Sequence, residues 1–526
     1  MKAAQNANAQ KRIFVSTLKM AVATFSSRVF GLVREQVTAA MFGASGLTDA
    51  FMVAYRVPNL LRDLFAEGAF SSAFVPIFTE VRLKDEEAAK RLLWSLFVVL
   101  GIITLTISGL IIIFAPQVTM WMTDDAFTAD TQRYELTVML VRLMAPFLSL
   151  VSMAALFMGA LNSLKVFFVP SFAPVFFNVL MILSMLILPP YLEARGIHAI
   201  ASMGIGVLVG GFAQMLFQVP MIIKQKYGWT GPLSFWNKDI KRIFNRVGIG
   251  TIGIAATQIN ILITTILATG AGVGAVSWLT YAFRLFQFPV GILSVSIAGS
   301  NLVHFSDAWK GGRFEEARSS LRASYILSWM TVAPAMALMF ALSQETVSLI
   351  FERGRFLAAD TLPTSQALTL YAWGLPFYGL YKIFAPTFYT LDKPRLPVAI
   401  SIFSIAINLV FCIWATPRYG FQMLALGTSI SIFINCLIQS FLLNRLLGLK
   451  FSFFINLKWL KIVLSAGATY FLVMAIKNYF PILEQPLHLK ALNYFIVCAG
   501  GAFGYGAALF LMGEGQQLRR LLKRKK

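Results

Sequence analysis

Apolar stretches, each about 20 residues or more, alternate with short polar ones along nearly the whole chain. A stretch of that length in helical form matches the hydrocarbon thickness of a bilayer. The pattern predicts spans near 16–42, 49–80, 92–115, 135–161, 168–189, 199–223, 245–269, 275–304, 320–343, 366–390, 396–416, 421–446, 459–480 and 491–513. The predicted fold class is therefore an all-α polytopic membrane protein with fourteen transmembrane helices. The first, second and eighth spans are unusually polar, whereas the last two are the most ordinary and lack internal basic clusters.

Composition agrees: of 526 residues 58% are hydrophobic and only 13% charged, against roughly 25% charged in a soluble domain. The formal net charge of +22 would suit nucleic acid, but its placement excludes that partner. Lys and Arg gather in alternate loops: Lys11 and Arg12, 81–91, 224–242, 309–322, 444–450 and the tail 519–526. The intervening loops GASGLT (43–48), TDDAFTAD (123–130) and TGAGVGA (269–275) contain none. The positive-inside bias then predicts both termini in the cytoplasm, with the basic tail lying on anionic lipid. No cleavable signal peptide is expected, because the first apolar stretch carries Arg28 and Arg34. Cys412, Cys436 and Cys498 lie singly in apolar stretches, and His198, His304 and His488 are far apart. Neither a disulfide framework nor a metal site is expected.

The informative residues are charges inside the apolar spans. The first two spans carry Arg28, Arg34, Glu35, Asp49, Arg56, Arg62, Asp63 and Glu67, and the eighth carries Arg284. Each arginine near the bilayer centre costs roughly 2.5–3.5 kcal/mol, so five imply a cost on the order of 10 kcal/mol unless they meet water, carboxylates or an anion. Arg28 and Glu35 are spaced to share one helix face, as are Asp63 and Glu67. Pro58 is expected to break the second span and Gly68 to loosen it. Arginines exceed neighbouring carboxylates once Arg284 is included, and guanidinium forks match phosphate oxygens. The residues thus point to a substrate bearing phosphate or pyrophosphate; Arg56, Asp63 and Glu67 receive no role. A short similarity sets Tyr55-Arg56 against Phe283-Arg284, as a parallel repeat of six spans would.

At these positions the chain resembles the MurJ/MviN family. The similar segments are SRVFGLVRE (27–35), FGASGLTDAF (42–51), NLLRDLFAEGAFSSAFVPIF (59–78) and SWLTYAFRLFQFPVGILSVS (277–296). The resemblance implies a MATE-like fold of two six-helix lobes, 1–224 and 225–448. Residues 449–526 would add two helices lining a lipid-tail groove and the cytoplasmic tail. It implies a bacterial inner-membrane flippase moving lipid II, the undecaprenyl-pyrophosphate-linked peptidoglycan precursor, from the cytoplasmic to the periplasmic leaflet by alternating access. The implied substrate-binding residues are Arg28, Arg34, Arg62, Arg284, Asp49, Glu35, Ala39 and Ser277. Asp49 and Glu35 would orient the arginines or loosen their grip. Three departures stand out: Glu35 in place of Asp, Asp63 after NLLR, and Phe283 where a carboxylate is common.

No catalytic residue, metal or cofactor is expected. Spans seven and eleven contain no Asp or Glu, which argues against sodium coupling and leaves the membrane potential or another ion as the drive. The expected partners are lipid II, membrane lipids and the cell-wall synthesis machinery; since one chain supplies both lobes, a monomer is the expected working unit. The competing readings are another exporter of the same superfamily, either a polyprenyl-oligosaccharide flippase or a multidrug exporter, a membrane glycosyltransferase or lipid pyrophosphatase, and a scaffold. A cation exporter wants carboxylates and aromatics rather than surplus arginine. An enzyme wants a nucleophile, acid–base pair or metal cluster, and Asp124, Asp125 and Asp130 read as a solvated loop. GIGTIG (248–253) lies in an apolar span with no preceding strand, so it is no dinucleotide fingerprint. A scaffold leaves the arginines unexplained.

Overall fold

The structure is a computed structural model describing residues 2–62, 69–231, 233–235, 237–449, 456–483 and 485–514; side chains at 2–18, 21, 61, 69, 72, 249–256 and 292 fall outside the description. Asp63, Glu67, Gly68 and the basic tail 519–526 therefore lie outside the described residues. What is described is helical and contains no strand.

Contacts group the chain into two units, Met1–Val276 and Ser277–Lys526. The first holds α1 (Lys2–Phe42), α2 (Gly46–Arg62), α3 (Ala69–Lys84), α4 (Glu86–Ile113), α5 (Ala115–Met122), α6 (Asp125–Ala129) and α7 (Thr131–Met144). It continues through α8 (Phe147–Ser163), α9 (Phe168–Ile187), α10 (Pro189–Glu193), α11 (Ala201–Leu216), α12 (Val219–Lys224) and α13 (Lys238–Gly270). The second unit takes α14 (Ala275–Pro289), a π-helical turn (Val290–Ser294), α15 (Val295–Lys310), α16 (Phe314–Phe351), α17 (Ala358–Ala372) and α18 (Leu375–Thr390). It ends with α19 (Arg395–Tyr419), α20 (Gln422–Leu447), α21 (Leu457–Tyr479) and α22 (Leu487–Leu509). The grouping follows packing, with α13 against α3; the division at 224 follows span count and is a different partition.

Local chemistry sets the boundaries. Asp85 starts α4 by accepting from the amides of Glu87 and Ala88, Asn237 starts α13 by accepting from Ile240, and Asn456 starts α21 by accepting from Trp459. Helix α20 stops at Gly448, whose φ of 62° suits a residue without a Cβ.

The predicted spans fall mainly on helix, with turns at Phe114, 145–146, 217–218 and 373–374 interrupting spans three, four, six and ten, while residues 63–68 of the second lie outside the described residues. Among the described residues nine helical segments are long and apolar enough to cross a membrane. Spans one, two, seven, eight and ten fall on helices that are more polar, shorter or interrupted. The expected break at Pro58 is absent, since α2 runs through it to Arg62. Proline removes one backbone donor, and a helix can carry that loss where neighbouring groups compensate. Span eight is interrupted instead, by the π-helical turn directly after Pro289.

Each unit has its own aromatic core. In the first, Phe70, Phe74 and Phe78 recur at four-residue spacing along α3, so one face buries all three, and Tyr227 closes the row. Trp94 on α4 donates to the carbonyls of Tyr227 (3.1 Å) and Gly228 (2.7 Å), tying down the loop after α12. In the second unit Tyr325 and Trp329 of α16 pack with Phe384 and Phe388 of α18.

Candidate substrate site

Helix α1 packs along α9, and α9 along α11. The contact between α9 and α11 is close because Gly206 and Gly210 face α9: a Cβ on Gly210 would lie 2.8 Å from the Phe177 carbonyl oxygen. This places Phe177 and Asn178 against α1, where Arg34 is buried. Arg34 donates to Glu35 Oε1 at 2.6 Å and to Asn178 Oδ1 at 3.1 Å, and its guanidinium carbon lies 5.8 Å from the Phe177 ring centroid. Asn178 in turn donates to the carbonyls of Pro174 (3.1 Å) and Ser27 (3.4 Å). Burying a charge this deeply requires such compensation. Arg62, half-buried at the end of α2, stands within electrostatic reach of Arg34 and repels it.

The structure thus brings Arg34, Glu35 and Arg62 near one another. Arg28, earlier on α1, is exposed, and Ala39 is fully buried. Asp49 is fully buried too; its Oδ2 accepts from the Gly274 amide at 2.6 Å and lies 4.0 Å from Arg133 Nη2. Arg133 also lies over the Phe127 ring. The Asp49 contacts described here fasten the loop after α13. In the second unit Arg284 is exposed on α14 and Ser277, near the start of that helix, is fully buried.

Several polar residues escaped the sequence reading. Asn178 is a single amide in an otherwise apolar span, a signal that is easily passed over. Lys382 is exposed on α18 within predicted span ten. The two C-terminal spans are less ordinary than their sequence suggests. Lys477 of α21 pairs with the buried Glu345 of α16, and Lys490 at the start of α22 donates to Ser348 Oγ (2.8 Å) and lies 3.9 Å from Glu352. Glu345 lies beyond the predicted end of span nine at 343, but α16 continues to Phe351. That extension hid the pairing.

Apolar helices with charged groups buried between them define a multi-pass membrane transporter. The family described as lipid II flippase MurJ matches residues 38–489. The "Probable lipid II flippase MurJ" of Rickettsia prowazekii is 31% identical over 500 residues, covering 95% of this chain and 96% of that protein. The "Lipid II flippase MurJ" of Burkholderia cenocepacia is 32% identical over 431 residues, covering 81% and 83%. A solved structure of lipid II flippase MurJ in an inward closed conformation superposes with a TM-score of 0.78 at 25% identity, covering 96% of this chain and 99% of that one. An inward-facing MATE-family multidrug transporter shares the fold, with a TM-score of 0.64 at 14% identity, covering 81% and 98%. The chain belongs to the lipid II flippase MurJ family.

Proposed function

We propose that this chain moves lipid II across the membrane, from the cytoplasmic to the periplasmic leaflet, by alternating access. The observation that carries the reading is the family match over residues 38–489, joined to near-full-length relatives. The buried Arg34 supports an anionic headgroup as cargo. Its guanidinium is held by one carboxylate and one amide, partners that a pyrophosphate can exchange with. The likeness to a multidrug transporter is one of fold at 14% identity, and among the described residues the buried arginine of α1 suits an anionic cargo better than a cationic one.

In this reading Arg28, Arg34 and Arg62 of the first unit and Arg284 of the second engage the pyrophosphate during the cycle. Glu35 competes for Arg34 and so assists release, because a site that held both end states equally would shift no equilibrium. The termini lie in the cytoplasm, following the basic loops, and the membrane potential supplies about 2.3 kcal/mol per charge per 100 mV to a site that returns empty and positive. The polyprenyl tail rides along α21 and α22, whose Phe471, Phe495 and Phe503 are exposed.

The test is lipid II flipping in proteoliposomes by the purified chain, beside complementation of cells depleted of their own flippase. Flipping of lipid II but not of a neutral phospholipid is expected. Failure of both assays with folded protein would overturn the reading. For the tail, bulky substitutions on α21 and α22 should slow full-length lipid II more than a short-chain analogue, and equal slowing would count against that placement.

A further inference from the structure

Helix α16 is broken at Leu342, whose φ of −124° and ψ of 22° are not helical. Such a break needs a cause, and it leaves carbonyls short of their regular partners. Pro334 lies well before the break. At the break itself, two side-chain donors reach the carbonyls on either side of the distorted peptide. Lys477 Nζ lies 3.5 Å from the Ala341 oxygen, a long hydrogen bond, while pairing with Glu345. Thr346 Oγ1 donates to the Leu342 oxygen at 2.6 Å, a back-bond of the type that bends helices. Thr346 has a single hydroxyl hydrogen, so its 2.9 Å contact with Tyr494 is one in which the tyrosine donates. Lys477 belongs to α21 and Tyr494 to α22. Each of the two C-terminal helices therefore sends one polar side chain to the same break.

The surrounding packing makes this a fixed attachment. Gly501 of α22 admits Val473 of α21 and Leu338 of α16, with a Cβ there falling 2.6 Å from the former and 3.0 Å from the latter. Leu342 and Val473 are both fully buried in one apolar cluster with Val497. Glu345 is likewise buried, so its charge and that of Lys477 must stay together. One turn further on, the Lys490 contacts with Ser348 and Glu352 repeat the arrangement.

We infer that Lys477 and Tyr494 are positioning residues for transport: the C-terminal helix pair braces the break in α16 and fixes the angle between its segments 314–341 and 343–351. Conformational change in transporters is absorbed at a few hinge residues while the packed segments on either side move as rigid bodies. The inference rests on the lipid II reading, but its structural half is measurable without it.

The experiment places spin labels at the exposed positions Ala323→Cys and Gln344→Cys, on either side of the break, in an otherwise cysteine-free full-length chain. The variant Glu345→Gln/Lys477→Met/Tyr494→Phe removes the brace without stranding a buried charge. Its label-to-label distance distribution should shift and broaden, and lipid II flipping should fall about tenfold, the scale of mutations that bias a two-state element. Lys477→Arg, which keeps charge and donor, should preserve both readouts. Tyr494→Phe alone leaves the ion pair intact and should give a smaller change in each, which keeps the test available if the triple variant does not fold. An unchanged distance distribution overturns the inference whatever happens to flipping, and a changed distribution with flipping at the unsubstituted rate overturns it equally. Flipping by the unsubstituted chain in the same vesicles tests the underlying reading separately.

Discussion

Arg34 and Glu35, consecutive on α1, close on each other in a buried ion pair at 2.6 Å. Consecutive side chains on a helix leave it in different directions, so the long guanidinium arm must turn back to meet its neighbour. Neutralisation of this arginine therefore travels with α1, whereas its second acceptor, Asn178, belongs to α9. An anionic cargo that takes Arg34 displaces partners rather than filling a bare positive hole. Under the proposed function, removal of Glu35 is the change expected to separate binding from release.

Arg34→Ala should abolish flipping and break the buried ion pair that Arg34 makes with Glu35, a change that costs about 3–5 kcal/mol. Arg34→Ala/Glu35→Ala removes both charges and should recover most of the stability without recovering transport. Thermal unfolding in detergent and flipping in proteoliposomes check the two halves. Recovery of transport in the double variant would remove Arg34 from the mechanism.

Arg62 and Arg284 are expected to act through the planar fork as well as the charge. Arg62→Lys and Arg284→Lys keep the charge but lose bidentate geometry, so each should lie between the unsubstituted protein and its alanine variant in flipping rate. Lysine variants at full rate would show that charge alone suffices at that position. If Arg284→Ala flips normally while Arg62→Ala does not, pyrophosphate handling belongs to the first unit.

Much of this was legible in the chain. Runs of apolar residues long enough to cross a bilayer located the helices, because a membrane helix must be apolar over its whole lipid-facing length. Charges within those runs were equally visible, since Arg34 and Glu35 break the pattern. What periodicity cannot supply is which partner a buried charge finds. Asn178 lies far from Arg34 in sequence, and its role depends on α9 packing against α1. The Glu345 and Lys477 pair was hidden because one residue stood just beyond a predicted span and the other inside a span that looked plain. Pro58 shows the opposite error: a residue that breaks isolated helices was carried within α2, because local propensity yields to surroundings.

Asp49 should contribute to stability through the loop it fastens. Asp49→Ala leaves the Gly274 amide without that acceptor and Arg133 without that neighbouring charge, at a cost of about 1–3 kcal/mol. Asp49→Asn keeps an acceptor of the same size and should cost less. Thermal unfolding of the two variants checks the order. Equal melting temperatures would mean that Asp49 does not hold the loop.

Gly210 offers a test of how the arginine is positioned from a distance. It touches no charged group, yet a methyl there would meet the Phe177 carbonyl at 2.8 Å, a distance at which the backbone of α9 must give way. Phe177 and its neighbour Asn178 are the α9 residues that meet Arg34, so any displacement of α9 is passed to the guanidinium. Gly210→Ala should therefore destabilise the protein by about 1–3 kcal/mol, the usual cost of overpacking, and should slow flipping although no charge has changed. Gly109 on α4 is the control, since a Cβ there meets nothing within 4 Å. Gly109→Ala relieves the entropic cost of a helical glycine and should be neutral or stabilising by up to about 1 kcal/mol. Paired melting curves and flipping rates decide the matter. A Gly210→Ala protein as stable and active as its Gly109→Ala counterpart would show that the close approach of α9 and α11 is not what holds Arg34 in place.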